Sequence, residues 1–356
     1  MTLDTSVERL SLALEEPFTI SRGTQTHVEN AIVHVTDEGG MTGVGCAAPS
    51  RHYGETADTV AAVLPELLAV VEEVGDPHAL HEIESRMAAV VSDNPAARCA
   101  VSIAVHDLAA KRLGVPLYRL WGLDPEDAPE TSFTIGIDTT ERIREKAVDA
   151  TEAGYSVLKI KLGTDRDREV VEAVRDAAPE ATIRIDANEA WTPRETIEKS
   201  GWLADLDVEF IEQPVPAENP DGLRFAYERS ELPIAADESC LTAVDIPAIA
   251  DRCDIANLKL MKTGGLLETR RAIAAAKAHG LEVMLGCMVE SNAAIAAGAQ
   301  LAPLLDYADL DGSLLLESDP YAGVDVTGGP IRLAETDRAG TGAVRESSVG
   351  IASDTE

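Results

Sequence analysis

Lysine is rare in this chain, and half of its lysines fall in two short segments. The 356 residues contain eight lysines, at positions 111, 146, 159, 161, 199, 259, 262 and 277. A composition that avoids lysine yet clusters it twice suggests that chemistry requires it there. An ammonium group near other positive charge loses its proton more readily, so such a lysine can act as a general base near neutral pH. Lys161 and Lys259 are the candidate bases.

Three acidic residues lie between these two lysines at nearly equal spacing. Lys161 to Asp186 is 25 positions, Asp186 to Glu212 is 26, Glu212 to Asp237 is 25, and Asp237 to Lys259 is 22. Converging carboxylates repel one another, and a divalent cation is the usual remedy. Oxygen ligands without His or Cys suit Mg²⁺, one per subunit, or Mn²⁺. The alternative, that each acid merely caps a helix, stays open.

The spacing matches one strand–helix unit, and apolar runs place each of these residues at the end of a strand. Alternating strands and helices predict a parallel sheet with right-handed crossovers. Eight units point to a closed barrel, whose strand ends form one mouth where active sites are built. Lys159, two residues before Lys161, then also faces the interior. The predicted strands are 132–136, 157–161, 182–186, 208–212, 233–236, 255–259, 282–286 and 307–309.

The regions that flank the barrel have a different character. Residues 1–128 show two short strands, 30–36 and 42–47, and then helical periodicity over 55–75, 78–91 and 95–113, which predicts an α+β domain. The barrel is expected over 129–320. The polar segment 321–356 is expected to begin by packing on the first domain and to end disordered.

Composition excludes several classes of function. With 63 acidic and 30 basic residues the formal net charge is −33, which argues against nucleic acid or an anionic membrane as a partner. The five cysteines are scattered without a CxxC motif, which argues against a Cys-based zinc site and for a reducing compartment. No signal peptide or membrane-spanning run is apparent, so we expect a cytoplasmic protein.

Several motifs together resemble the muconate-lactonising branch of the enolase superfamily over nearly the whole chain. They are Lys159-Ile-Lys161, Asp186-Ala-Asn188, Glu212-Gln-Pro214, Asp237-Glu238-Ser239 and Lys259-Leu-Met-Lys-Thr-Gly-Gly265. The resemblance implies an α/β fold, a (β/α)7β TIM-like barrel with an N-terminal α+β capping domain. It also implies a metal-stabilised enolate, Mg²⁺ on Asp186, Glu212 and Asp237, and assembly into a homo-oligomer.

Within that branch the chain is most similar to the dipeptide epimerases, through Gly286-Cys-Met-Val-Glu-Ser291 and Asp309-Leu-Asp311. The resemblance implies epimerisation of a dipeptide substrate by 1,1-proton transfer at the α-carbon of its C-terminal residue. Lys161 and Lys259 would be the two bases. The substrate would contact Asp309 and Asp311 through its ammonium group, and also Lys159 and Ser291. Three further residues would support the metal ligands without contacting the substrate, namely Asn188, Glu238 and Lys262.

Substrate specificity and two alternatives stay open. Arg22 lies next to the position, here Gly23, where well-known members hold a glutamate side chain with arginine, so a glutamyl or a neutral side chain is conceivable. o-Succinylbenzoate synthase, N-succinylamino acid racemase and muconate cycloisomerase share the metal ligands and lysines, but their substrates lack a free ammonium group. A non-catalytic metal- or ligand-binding barrel is the remaining alternative.

The acidic composition suggests a halophilic protein, because salt screens the repulsion within such a surface. We expect the free energy of unfolding to rise with KCl concentration, measured by chemical denaturation with urea. Maximal stability at low salt would contradict this hypothesis.

Overall fold

The computed structural model describes residues 2–336 and 338–346. The N-terminal part opens with a three-stranded antiparallel sheet, β1 (Leu3–Ile20), β2 (Gly23–Asp37) and β3 (Thr42–Ala47). Four helices follow, α1 (Ala57–Val74), α2 (Leu80–Val90), α3 (Pro95–Leu113) and the short α4 (Leu117–Leu120). The predicted helices are present within two residues at each end. The sequence interpretation missed β1, an 18-residue strand whose side chains are mostly exposed or half-buried.

Eight parallel strands form the second part, each hydrogen-bonded to the next in chain order. A bridge between Thr131 and Ala308 joins the last strand to the start of the first, which closes the barrel. The strands are β4 (Phe133–Ile135), β5 (Val157–Lys161), β6 (Thr182–Asp186), β7 (Val208–Glu212), β8 (Ile234–Ala236), β9 (Ile255–Lys259), β10 (Glu282–Gly286) and β11 (Tyr307–Asp309). The predicted barrel is therefore confirmed.

Helices follow the first seven barrel strands, whereas β11 is followed by a 3-10 turn at Gly312–Leu315. This is the (β/α)7β arrangement. Four of the eight helices begin at a residue whose side chain caps the helix, as Thr192 does for the helix after β6. They are α5 (Thr140–Glu152), α6 (Asp167–Ala177), α7 (Pro193–Asp205), α8 (Pro220–Tyr227), α9 (Ile246–Ile249), α10 (Leu260–Thr263), α11 (Leu266–Ala278) and α12 (Asn292–Ala299).

The segment after the barrel returns to the N-terminal part. Its strands β12 (Tyr321–Ala322) and β13 (Val344–Arg345) pair with each other. Thr341 donates its backbone N–H to the buried Asp107 carboxylate of α3 at 2.7 Å, and Arg345 pairs with Glu8 of β1 at 2.7 and 2.8 Å. The expectation of a disordered end falls on residues 347–356, which lie outside the described residues. No helix of the described chain combines the length and apolarity needed to cross a membrane.

Strand β3 lies directly against helix α3, and two glycines make that approach possible. A methyl group added at Gly45 would lie 2.0 Å from the Ala100 carbonyl oxygen, and one at Gly43 would lie 2.1 Å from that of Ala104. Both contacts are with helix backbone, which cannot swing aside. Glycine is therefore required at both positions for the sheet to pack on α3.

We expect Gly45→Ala to lower the free energy of unfolding by about 1–3 kcal/mol or more, because overpacking displaces the strand from α3. Urea denaturation at fixed KCl concentration measures this. Gly40→Ala in the β2–β3 turn is the matched control, since its added methyl group meets open space at φ +81°. A strained φ costs about 1 kcal/mol. Equal losses in the two variants would contradict the close approach of β3 and α3.

Candidate active site

The barrel strands bring the predicted lysines and carboxylates to one mouth. Lys161, Asp186, Glu212 and Lys259 are the last residues of β5, β6, β7 and β9, and Asp237 directly follows β8. In the parallel register Lys161 is the partner of Asp186, and Asp186 is the partner of Glu212. All five side chains are buried.

The two candidate bases lie on opposite sides of the mouth. Strands β5 and β9 are separated by four steps in an eight-stranded barrel, which places them across from each other. Lys161 Nζ donates to Asp186 Oδ2 at 2.6 Å, and Lys259 Nζ donates to Asp237 Oδ2 at 2.8 Å. Each ammonium group is therefore held at a fixed position on its own side of the central space.

The titration of Lys259 is governed by its burial and by the acidic groups around it. Burial lowers the pKa of Lys259, but Asp237, Tyr53 and Glu212 together outweigh burial and raise that pKa well above its ordinary value. Conversely, burial raises the pKa of Asp237, but Lys259 and Lys262 outweigh it and hold the pKa below its usual range. The protein's own groups thus favour the charged ion pair.

Glu212 is the carboxylate whose charge is least well compensated. Its Oε1 accepts from Asn257 Nδ2 at 2.7 Å. Its buried Oε2 receives no well-directed hydrogen bond from the described residues, although Lys159 Nζ lies 2.7 Å away. Burial and then Asp186 raise the pKa of Glu212 to about 8. An under-coordinated carboxylate oxygen among three buried acids, with no His or Cys donor among them, fits Mg²⁺ or Mn²⁺.

Lys159 bridges this carboxylate group to the end of the eighth barrel strand. Its Nζ lies 2.7 Å from both Glu212 Oε2 and Asp309 Oδ2 and 3.3 Å from Asp186 Oδ2. Burial lowers the pKa of Lys159, but Asp309, Glu212 and Asp186 together raise it well above its ordinary value. A lysine bound by three carboxylates is suited to balancing charge rather than to removing a proton.

Asp309 and Asp311 lie together beside the first barrel strand, as the sequence register predicted. Ser132 Oγ donates to Asp309 Oδ1 at 2.6 Å, and the Thr134 backbone N–H donates to Asp311 Oδ2 at 2.5 Å. Burial and then Asp309 raise the pKa of Asp311 to about 7. A second cation beside this pair would be favoured, since Lys159 already balances Asp309.

Three predicted supporting residues lie behind the carboxylates. Lys262 Nζ donates to the Asp237 backbone oxygen at 2.6 Å and to its Oδ1 at 2.5 Å. The Asn188 backbone N–H donates to Asp186 Oδ1 at 2.8 Å, and its side-chain amide lies 3.4 Å from Glu238 Oε1. These contacts fix the orientation of two of the three acids.

Ser291 requires a correction, because we expected it to contact a substrate. It lies at the N-terminus of α12, where its hydroxyl accepts from the Ala293 backbone N–H at 3.2 Å. The same hydroxyl donates to Asp319 Oδ1 at 2.9 Å, and its backbone N–H donates to Asn30 Oδ1 at 3.1 Å. Its polar groups are thus used to cap a helix and to join it to two other segments.

The structure adds residues that the sequence interpretation missed. Asn257 faces the mouth from β9. It could have been predicted, because residues two apart on a strand point to the same side and Asn257 lies two residues before Lys259. Three more residues also reach the mouth, but no periodic signal marks them: Glu189 comes from the loop after β6, and His52 and Tyr53 come from a 3-10 turn at Arg51–Tyr53. His52 Nε2 lies 3.4 Å from Glu189 Oε2. Burial, and then the nearby Asp237, raise the pKa of Tyr53.

Arg22, predicted to bind the substrate, lies in the turn between β1 and β2. This hairpin extends over the barrel, so that Arg22 Nη2 lies 2.8 Å from Glu238 Oε1 and Nη1 lies 3.3 Å from Glu189 Oε2. Its guanidinium is one-third exposed at the rim of the mouth. The neighbouring Gly23 has φ +143°, as the tight turn requires.

Two family models match consecutive parts of the chain. Residues 4–122 match the N-terminal domain of the mandelate racemase / muconate lactonizing enzyme family. Residues 142–343 match the enolase C-terminal domain-like model. The two matches correspond to the sheet-and-helix part and to the barrel with its returning segment.

The chain is similar over most of its length to proteins of known activity. It is 37% identical to an L-Ala-D/L-Glu epimerase of Bacteroides thetaiotaomicron, over 94% of this chain and 86% of that protein. It is 40% identical to a hydrophobic dipeptide epimerase of Roseobacter litoralis, over 88% and 91%. The crystal structure of a dipeptide epimerase from Enterococcus faecalis with Mg and L-Leu-L-Tyr superposes with a TM-score of 0.90 at 32% identity, covering 96% and 99%.

We expect Mg²⁺ to raise the melting temperature of the protein, because an ion that binds only the folded state stabilises it. Glu212→Gln should weaken Mg²⁺ binding by roughly tenfold or more, since even residues behind a metal ligand contribute 10–100-fold. Calorimetric titration with MgCl₂ measures the affinity without any substrate.

Glu209→Gln is the matched control for Mg²⁺ binding. Glu209 precedes Glu212 on the same strand but pairs with Arg184 at 2.7 Å, away from the strand end. This variant should bind Mg²⁺ as the unmodified protein does. Equal affinity in Glu212→Gln and Glu209→Gln would exclude Glu212 as a ligand.

Proposed function

The chain belongs to the mandelate racemase / muconate lactonizing enzyme family of the enolase superfamily, and on that premise we propose that it is a Mg²⁺-dependent dipeptide epimerase. The observation that carries this proposal is the pair of buried lysines on opposite strands with three carboxylates on the strands between them. Inversion of a stereocentre needs one proton carrier on each face of the reacting carbon, and this arrangement supplies two.

Asp186, Glu212 and Asp237 would hold the Mg²⁺ ion. When bound, the ion supplies positive charge beside the substrate carboxylate, which lowers the cost of negative charge on the adjacent carbon. Asn257 and Lys262 orient Glu212 and Asp237 through the hydrogen bonds described above. The ligands are thereby prepared in position before the ion and the substrate bind.

Lys161 and Lys259 would exchange the proton of the α-carbon. A dipeptide bound with its terminal carboxylate at the three acids places that carbon between the two ammonium positions. A cation bound at Asp186 and Asp237 would offset the carboxylates that pair with these lysines. One lysine can then be neutral and take the proton into its Nζ, while the other, in its charged form, donates a proton to the opposite face. The roles reverse for the other epimer. Their buried positions exclude water that would otherwise compete for the proton.

Asp309 and Asp311 would bind the free ammonium group of the dipeptide. Lys159 already balances Asp309, so a substrate ammonium group restores neutrality beside Asp311. This charge balance disfavours the related reactions of o-succinylbenzoate synthase, N-succinylamino acid racemase and muconate cycloisomerase. Their substrates would bring no cation to this carboxylate pair. A purely binding role leaves the two opposed lysines unexplained.

Four further expectations stay predictions. They are a cytoplasmic location, assembly of several copies, adaptation to high salt, and the division into 1–128, 129–320 and 321–356. The contacts of Thr341 with Asp107 and of Arg345 with Glu8 support the attachment of the C-terminal segment to the first domain.

The proposal predicts exchange of the substrate α-proton with solvent. We expect Mg²⁺-loaded protein in D₂O to convert members of an L,L-dipeptide library into products one mass unit heavier, detected by mass spectrometry. N-acetylated versions should remain unlabelled, because they lack the ammonium group for Asp309 and Asp311. A library that stays unlabelled throughout would refute the epimerase proposal.

The two-base assignment predicts different losses in different variants. Lys161→Ala should reduce epimerisation by about 10²–10⁴-fold, the usual contribution of a general base. Lys259 should still exchange the α-proton of one epimer, and Lys259→Ala should show the opposite preference. Lys277→Ala, which removes a half-exposed surface lysine, serves as the control. Exchange from both epimers in Lys161→Ala would contradict the assignment.

A further inference from the structure

The tip of the β1–β2 hairpin is docked on the barrel mouth by several directed contacts. Ser21 Oγ donates to the Asn188 backbone oxygen at 3.1 Å, and Arg22 Nη1 donates to the same oxygen at 3.2 Å. The Ile137 backbone N–H donates to the Thr19 oxygen at 2.7 Å. Asn188 is two residues beyond the proposed ligand Asp186, so the tip covers the catalytic end of the barrel.

Arg22 is the cation at the centre of this contact, and its charge is already balanced. Its two terminal nitrogens pair with Glu238 at 2.8 Å and with Glu189 at 3.3 Å. Ligand atoms of His52, Glu189 and Glu238 lie within 4.8 Å of one another, and the Arg22 guanidinium binds two of these three residues. The acidic cluster therefore has its counter-ion within the protein.

Glu189 is held rigidly as a partner for Arg22. Its Oε1 accepts from the Ala217 backbone N–H at 2.8 Å, and its own backbone N–H donates to the Gln213 oxygen at 2.8 Å. Its side chain is only 12% exposed. The carboxylate cannot turn away cheaply to release Arg22 toward another anion.

The side chain of the reacting residue must point toward this cluster. In the proposed pose its carboxylate faces Asp186, Glu212 and Asp237, its amide nitrogen leads toward Asp309, and its α-hydrogen faces a lysine. The remaining substituent then leaves the barrel through the mouth, where the hairpin tip covers it. An acidic side chain there meets Glu189 and Glu238, and the Arg22 guanidinium is already paired with both.

We infer that Arg22 latches the hairpin over the mouth and that the reacting residue of the substrate carries an uncharged or cationic side chain, not an acidic one. This inference rests on the proposed function and deepens it. A third carboxylate at the cluster adds like-charge repulsion unless it displaces Glu189 or Glu238 from Arg22.

The test compares two substrates of nearly the same shape, L-Ala-L-Gln and L-Ala-L-Glu. We expect kcat/KM for the glutamine dipeptide to exceed that for the glutamate dipeptide by roughly tenfold or more. Deuterium incorporation from D₂O, followed by NMR, measures both. L-Ala-L-Lys and L-Ala-L-Leu extend the series to a cationic and an apolar side chain, and both should be turned over faster than L-Ala-L-Glu.

Two variants test the role of Arg22 itself. Glu189→Gln frees one side of the guanidinium. It should raise kcat/KM for L-Ala-L-Glu relative to that for L-Ala-L-Gln by roughly tenfold. Glu198→Gln, which removes an exposed acid on α7, should leave that ratio unchanged. Arg22→Met should raise KM for both dipeptides as the latch loosens, while the preference for glutamine persists. Melting temperatures establish that each variant is folded.

These measurements distinguish failure of the proposed epimerase function from failure of the proposed side-chain specificity. If no dipeptide exchanges its α-proton, the proposed function fails, and the specificity inference fails with it. If dipeptides are turned over but L-Ala-L-Glu equals or exceeds L-Ala-L-Gln, the specificity inference alone fails. The same holds if Arg22→Met loses activity on L-Ala-L-Glu selectively, because Arg22 would then be a carboxylate receptor.

Discussion

The structure depends on holding many buried carboxylates in one small space. Each buried acid at the mouth is tolerable only where an ammonium group, a backbone N–H or a bound cation meets it. Lys159, Lys161, Lys259 and Lys262 supply the protein's share of positive charge, and each contacts at least one acid. The positive charge of these lysines does not offset all of the buried acids. Burial and neighbouring acids therefore raise the pKa of Glu212 to about 8 and that of Asp311 to about 7. These two acids have places for the ion and the ammonium group that a substrate complex would bring.

Much of this arrangement could be predicted because a parallel barrel leaves a regular trace in the sequence. A strand buried on both faces is a short apolar run, and the first polar residue after it marks the mouth. The predicted bounds of β5, β6, β7, β9, β10 and β11 therefore agree with the structure. The regular step from Lys161 to Lys259 follows from the same repetition, since each strand–helix unit has nearly constant length.

The remaining features depend on contacts between distant segments, and no local pattern records them. Strand β1 is largely exposed, and its apolar alternation is confined to Leu10, Leu12 and Leu14, a short run that was overlooked. Ser291 was misassigned because a serine after a barrel strand can face the mouth or cap the following helix, and only the position of Asp319 decides. Arg22 meets Glu189 and Glu238 across 167 and 216 positions of sequence. An arginine at this position suggested a contact with substrate, but nothing in the sequence indicated that it pairs with Glu189 and Glu238.

The anchoring of the hairpin β1–β2 determines which part of the molecule can move. Near its base, Arg345 holds Glu8, and midway Leu14 bridges to Leu316 while the Glu317 backbone N–H donates to the Ala13 oxygen. Beyond these ties the register between the two strands shifts, between Ala13 and Phe18. The irregular stretch separates the anchored base of the hairpin from its tip, which is held to the barrel by the contacts of Thr19, Ser21 and Arg22. In the proposed enzyme, bending of these few residues would lift the tip from the mouth without moving the rest of the hairpin, and the Arg22 contacts would oppose that movement.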